Sequence, residues 1–158
     1  NTQIGTLHYA GGDEPKAAEF LREGYPKVSE GHLVLAAILY REGKKQEAYD
    51  ALDLGIRFNK KSAILYNVLA WMLHKDGKRD EALAILEKGL KKLKTDEDTS
   101  TNIERLREDK KLNMKPFGQH WFMLKFETPK GMGQTQPFRK GFRQAPKNKG
   151  KQRKAKKR

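Results

Sequence analysis

The chain has 158 residues, 34% of them charged, no cysteine and a formal net charge of +14. Disulfides and thiolate metal sites are thereby excluded, and so much charge leaves apolar material for one modest core with an appendage. No apolar run approaches the ~18 to 20 residues that span a bilayer, and no charged-then-apolar leader opens the chain. A soluble protein of a reducing compartment is expected, cytoplasmic, or nuclear in a cell that has a nucleus. The charge is segregated. Residues 1–100 hold 16 Lys and Arg against 16 Asp and Glu, whereas residues 101–158 hold 18 against 4.

The first elements are set by an internal period. Leu35 to Ile56, LAAILYREGKKQEAYDALDLGI, aligns without a gap on Leu69 to Leu90, LAWMLHKDGKRDEALAILEKGL, at an offset of 34. Leu35, Ala36, Leu39, Gly43, Ala48, Leu52 and Gly55 meet Leu69, Ala70, Leu73, Gly77, Ala82, Leu86 and Gly89. Apolar residues recur three and four apart on both sides of Gly43-Lys44 and Gly77-Lys78, which break the helical period as turns. Each unit is therefore predicted to be two antiparallel helices, with small residues where the pair approaches closely. One unit cannot bury its apolar face alone, so units must stack. The N-terminus follows the same pattern, with Ile4-Gly5, a turn at Gly12, and Ala17, Leu21 and Gly24 standing 31 positions before Ala48, Leu52 and Gly55. On this register Asn1 falls about three residues inside a first helix, which leaves open a fragment of a longer protein, a repeat that begins late, or a frayed first helix.

These residues resemble the tetratricopeptide repeat family, with two full repeats and a partial N-terminal one. The pattern departs at the closing proline, which is Lys60 and Lys94 here, and at the second small position, which is Gly. The resemblance implies an all-α solenoid of helical hairpins with a concave groove for peptides or helices, lined by the first helix of each repeat. The inward positions it implies are Leu33, Ala37, Tyr40 and Arg41, then Asn67, Trp71, His74 and Lys75. Tyr40 and Trp71 would be the aromatic anchors for a protein partner, with packing of Trp71 on a neighbouring helix the competing role. The chaperone-binding subfamily clamps a carboxylate with inward Lys and Asn. Leu33, Ala37 and Trp71 stand at those positions here, which argues against that role.

Beyond the second repeat, acidic and Ser/Thr caps followed by Ile103, Leu106 and Leu112 predict a third-layer or capping helix from about Thr101 to Leu112. The domain is thus expected over residues 1–112, with residues 113–127 as an aromatic segment, Phe117, Trp121, Phe122, Met123, Leu124 and Phe126, whose periodicity fits helix and strand alike. A short helix folded back onto the solenoid end is expected. Residues 128–158 carry 12 Lys and Arg, no acid, four Gly and three Pro, a composition expected to be disordered alone.

Catalytic chemistry finds little footing. His8, His32, His74 and His120 are scattered without metal-ligand spacing, and Gly11-Gly12 and Gly131-Met132-Gly133 lack the frame of a phosphate loop. The expectation is a noncatalytic protein without cofactor or metal. In the tail, Phe138-Arg139-Lys140 and Phe142-Arg143 repeat an aromatic-basic step, followed by Lys147, Lys149, Lys151, Arg153, Lys154, Lys156, Lys157 and Arg158. Cations neutralise phosphates while Phe rings stack on unpaired bases, so this segment is chemically suited to RNA. The reading is an adaptor that binds a protein through its groove and RNA, or another polyanion, through its tail, in a ribonucleoprotein such as a ribosome. The layout, repeats followed by a basic region, is similar to that of a protein of the signal recognition particle, without a matching motif. The alternatives are a protein-only scaffold or an accessory subunit whose tail serves solubility or nuclear targeting.

Overall fold

The computed structural model describes residues 1–130, and every regular element in them is helical. In chain order these are α1 (Thr2–Ala10), α2 (Glu14–Arg22), α3 (Ser29–Arg41), α4 (Lys45–Phe58), α5 (Ala63–Lys75), α6 (Arg79–Leu93), α7 (Glu97–Arg107) and α8 (Gln119–Phe122), with a 3₁₀ turn at Lys115–Phe117 before α8. The expected RNA-binding residues, Phe138 to Arg158, and the expectation of disorder lie outside the described residues.

Helices pair as the period predicts. α1 packs on α2, α3 on α4 and α5 on α6; each hairpin lies against the next, and α1, α3, α5 and α7 also touch in sequence. The first helix of each pair stops by one device. Gly43 and Gly77, both at φ 79, take the left-handed conformation that an L side chain resists. Lys44 N–H then reaches Leu39 O (2.9 Å) and Lys78 N–H reaches Leu73 O (2.8 Å), so the last carbonyls are satisfied as the chain reverses.

The period continues one unit further than the apolar pattern reveals. Gly31, Val34, Leu35 and Ile38 are buried in α3, and Leu65, Val68, Leu69 and Met72 are buried at the same positions in α5. Another 34 residues on stand Thr99, Asn102, Ile103 and Leu106, all buried in α7. α7 also ends like α3 and α5, with Asp109 at φ 57 and Lys110 N–H on Arg105 O at 2.7 Å. Of the two alternatives expected over 101–112, a third-layer helix or a capping helix, its buried positions match the first, with different bounds. Its start moves forward because the Asp96 carboxylate caps Thr99 N–H at 2.9 Å, and its end moves back because Asp109 leaves the helical conformation. Leu112 belongs to the segment that follows.

Among the described residues, no following helix pairs with α7 as α4 pairs with α3. Residues 112–127 instead run across the inner faces of α5, α3 and α1, where Leu112, Met114, Trp121 and Leu124 are buried. Full burial of side chains such as Met114 and Leu124 is worth roughly 1.5–3 kcal/mol each, so this stretch is core. It lies against α1, α3 and α5, and not at one end of the hairpin series where it was expected.

The glycines that depart from the repeat pattern have a steric cause. A Cβ on Gly89 would lie 2.6 Å from Cγ of Tyr66, and one on Gly55 would lie 2.9 Å from Cγ of His32, the residue 34 positions before Tyr66. Both rings are held: Tyr66 donates to Lys60 O at 2.8 Å, and His32 Nε2 lies 2.8 Å from Pro26 O. Gly89→Ala gains roughly 1 kcal/mol of helix propensity but overpacks a buried ring at roughly 1–3 kcal/mol. Urea denaturation should therefore show a net loss, partly recovered in Gly89→Ala/Tyr66→Leu; a stabilised single variant would contradict the close approach.

Candidate functional site

The inner face expected to be an open groove is filled by the chain itself. Leu33, Ala37 and Asn67 are buried at 1%, 0% and 0% exposure, so none is available to a protein partner. Tyr40 meets the ring of Phe126 edge-on at 5.8 Å, and Trp71 meets Phe126 at 4.8 Å and Trp121 at 5.0 Å between centroids. The expected anchors are thus spent inside the molecule. His74 is half-buried and Lys75 is exposed beside them.

Arg41 is the centre of this closure. Its Nη1 donates to Leu124 O at 2.6 Å, while Nη2 donates to the Tyr9 hydroxyl at 3.2 Å and to Glu14 Oε1 at 2.7 Å. Tyr9 in turn donates to Met123 O at 3.0 Å. Two carbonyls of an irregular segment, which a buried strand would leave orphaned, are answered by side chains of α1 and α3. Burial raises the Tyr9 phenol pKa above its ordinary value, against the opposing pull of Arg41.

A second clamp is built from amides. Asn102 Nδ2 donates to Asn67 Oδ1 (2.8 Å) and to Asn113 O (3.1 Å), and Asn102 Oδ1 accepts Asn113 N–H (2.7 Å). Asn67 Nδ2 donates to Ala63 O and to the Thr99 hydroxyl, both at 2.9 Å, and that hydroxyl donates to Asp96 at 2.6 Å. No buried side-chain nitrogen or oxygen among the described residues lacks a partner. Asn67 was legible only as an inward position; Asn102, Thr99 and Asn113 were missed. Their signal was available in the period, since Asn102 occupies the place of Val34 and Val68.

At the far end of α5, the Asp76 carboxylate accepts from Tyr40 Oη (2.8 Å), from Tyr49 Oη and from Lys45 Nζ (2.6 Å), with its side chain 7% exposed. Burial, with the carboxylate beside them, raises the pKa of both phenols. Burial alone would raise the Asp76 pKa too, but the hydrogen bonds from Lys45, Tyr49 and Tyr40 outweigh it and bring it below the ordinary value.

Two depressions flank the end of the C-terminal segment. One of about 360 Å³ lies between α5 and Phe126, and one of about 620 Å³ lies beside Lys115, Lys125 and Lys130; both have Phe126 and Glu127 in their walls. Among the described residues, no group of three or more His, Asp and Glu side chains is placed to hold a metal ion, and no helix is long and apolar enough to cross a membrane.

Asn102→Ala removes one buried hydrogen-bonding side chain and orphans Asn113 N–H, which should cost on the order of 2–3 kcal/mol in chemical denaturation. A loss under about 0.5 kcal/mol, the range of an ordinary surface substitution, would show that the clamp holds nothing. For Asp76, a folded pKa below the unfolded one means stability that is full above about pH 4 and lost as pH falls through the folded value. Asp76→Asn should lower Tm near neutral pH, and the gap should close on acidification; an unchanging gap would count against the assigned hydrogen bonds.

No family model matches the chain, and no curated protein matches it.

Proposed function

We propose that this chain is a noncatalytic RNA-binding adaptor of tetratricopeptide type. A short helical-hairpin solenoid, closed on its inner face by residues 112–127, carries a basic C-terminal extension that tracks RNA in a ribonucleoprotein such as a ribosome. The observation that carries the reading is the placement of charge. Residues 1–130 hold 23 Lys and Arg against 20 Asp and Glu, while residues 131–158 hold 11 against none.

That distribution fits a polyanion better than a folded protein partner. Phosphates repeat along a strand and need only a flexible row of cations to displace their counterions, whereas a protein surface rarely presents 11 unbroken negative charges. Phe138 and Phe142, each followed by Arg, add ring faces that bases can stack on. The groove half of the adaptor reading is withdrawn, since Leu33, Ala37 and Asn67 are buried, and Tyr40, Arg41 and Trp71 are in contact with the chain's own segment.

RNA retention should be measured for the full chain and for a chain ending at Lys130 across a salt series. With about 6 to 10 phosphate contacts, the full chain should lose on the order of 10³ to 10⁵ in affinity between about 50 and 200 mM salt. The shortened chain should retain little RNA and keep its thermal melt. Equal, weak binding by both chains would make the tail a solubility or targeting element.

A further inference from the structure

We infer that the cavity between α5 and the C-terminal segment is a pocket for one unpaired nucleotide. The inference deepens the RNA reading and rests on it for the identity of the ligand. The cavity, about 360 Å³, is at the lower end of the sizes that enclose small ligands. Its aromatic wall is Trp71 and Phe126, centroids 4.8 Å apart and planes 34° apart, with Leu112 and half-buried His74 completing the lining.

The charges around it suit a phosphate. Lys75 and Lys111 are both exposed, and among the described residues neither is paired with a carboxylate, whereas Arg41, Lys45, Arg79 and Arg107 are. The one acid in the lining, Glu127, is engaged by Trp121 Nε1 at 3.0 Å. Lys75 Nζ rests 4.7 Å from the centre of the Trp71 ring. Trp71 is 8% exposed, with the exposed Lys75 side chain over its ring, so a base reaches that ring only as the ammonium swings off it toward the phosphate. An acidic peptide would satisfy the two lysines but leave the ring pair without a planar partner, which favours a nucleotide.

Position supplies the link to the tail. Phe126 and Glu127 lead directly through Thr128 to Lys130 into the basic extension, so a strand held by the tail is delivered to this opening. The other large depression shares these residues and adds Lys115, Lys125 and Lys130 along the way.

The test uses intrinsic tryptophan emission, because the chain has only two tryptophans and of these Trp71 lines the pocket while Trp121 does not. Uridine 5′-monophosphate is titrated into the full chain and into a Lys75→Ala/Lys111→Ala variant, both first checked by thermal melt. Saturable quenching in the parent, weakened about tenfold or more in the variant, is expected. With a dodecamer of uridine, the variant should also show a salt slope shallower by about 1.4, for two phosphate contacts on a single strand. Equal monophosphate quenching in the two chains, or none in either, overturns the pocket even if the dodecamer binds with a steep salt slope through the tail. Monophosphate quenching that depends on the lysines, without dodecamer retention, keeps the pocket and sinks the tail reading. Equal quenching by a short polyglutamate peptide would reassign the site to acidic protein and overturn the nucleotide.

Discussion

The structure depends on one side-chain amide being used as a piece of backbone. Asn102 gives and takes a hydrogen bond with the main chain of Asn113, as a strand neighbour would, and passes its remaining proton to Asn67. Three buried groups are mutually satisfied, and an amide left alone there would cost more than a hydrophobic residue in its place. Once Asn113 is fixed against α7, the following residues have a direction, along the inner face.

Everything that the inner face might have done follows from that direction. The first helices of the three hairpins meet Trp121, Leu124 and Met114 there, and Arg41 and Tyr9 answer the carbonyls of the covering segment. What remains for recognition is the edge of the filling, where Phe126 meets Trp71 and the chain turns toward its cationic end.

The repeat itself was legible because it is written in apolar and small residues at a fixed spacing, which report burial directly. The hairpin turns were legible for the same reason as any left-handed stop, since Gly43 and Gly77 are the residues that accept it. The third unit was legible only as one of two alternatives, because two of its core positions are Thr99 and Asn102, and a polar residue is buried only when its partners are, which a local pattern cannot supply. The path of residues 112–127 was hidden likewise: its aromatic content announced burial, but the surface it covers is chosen by Arg41 and Tyr9, far away in sequence. What Trp71 meets, the rings of Trp121 and Phe126, could not be read from the sequence.

The contact between Tyr9 and Met123 joins residues 114 positions apart. A linear array of hairpins ordinarily unfolds as a chain of neighbours, each unit melting with terms for itself and the next, so its ends fray first. Here the segment around Met123 lies on the first helix, and opening either end strips contacts from the other. The array is closed into a loop of interactions, which couples its units into a single cooperative transition and gives a helical protein a larger share of distant pairings than its topology requires. Such a molecule folds more slowly than an open stack of the same helices, because a long loop must close before its final contacts form.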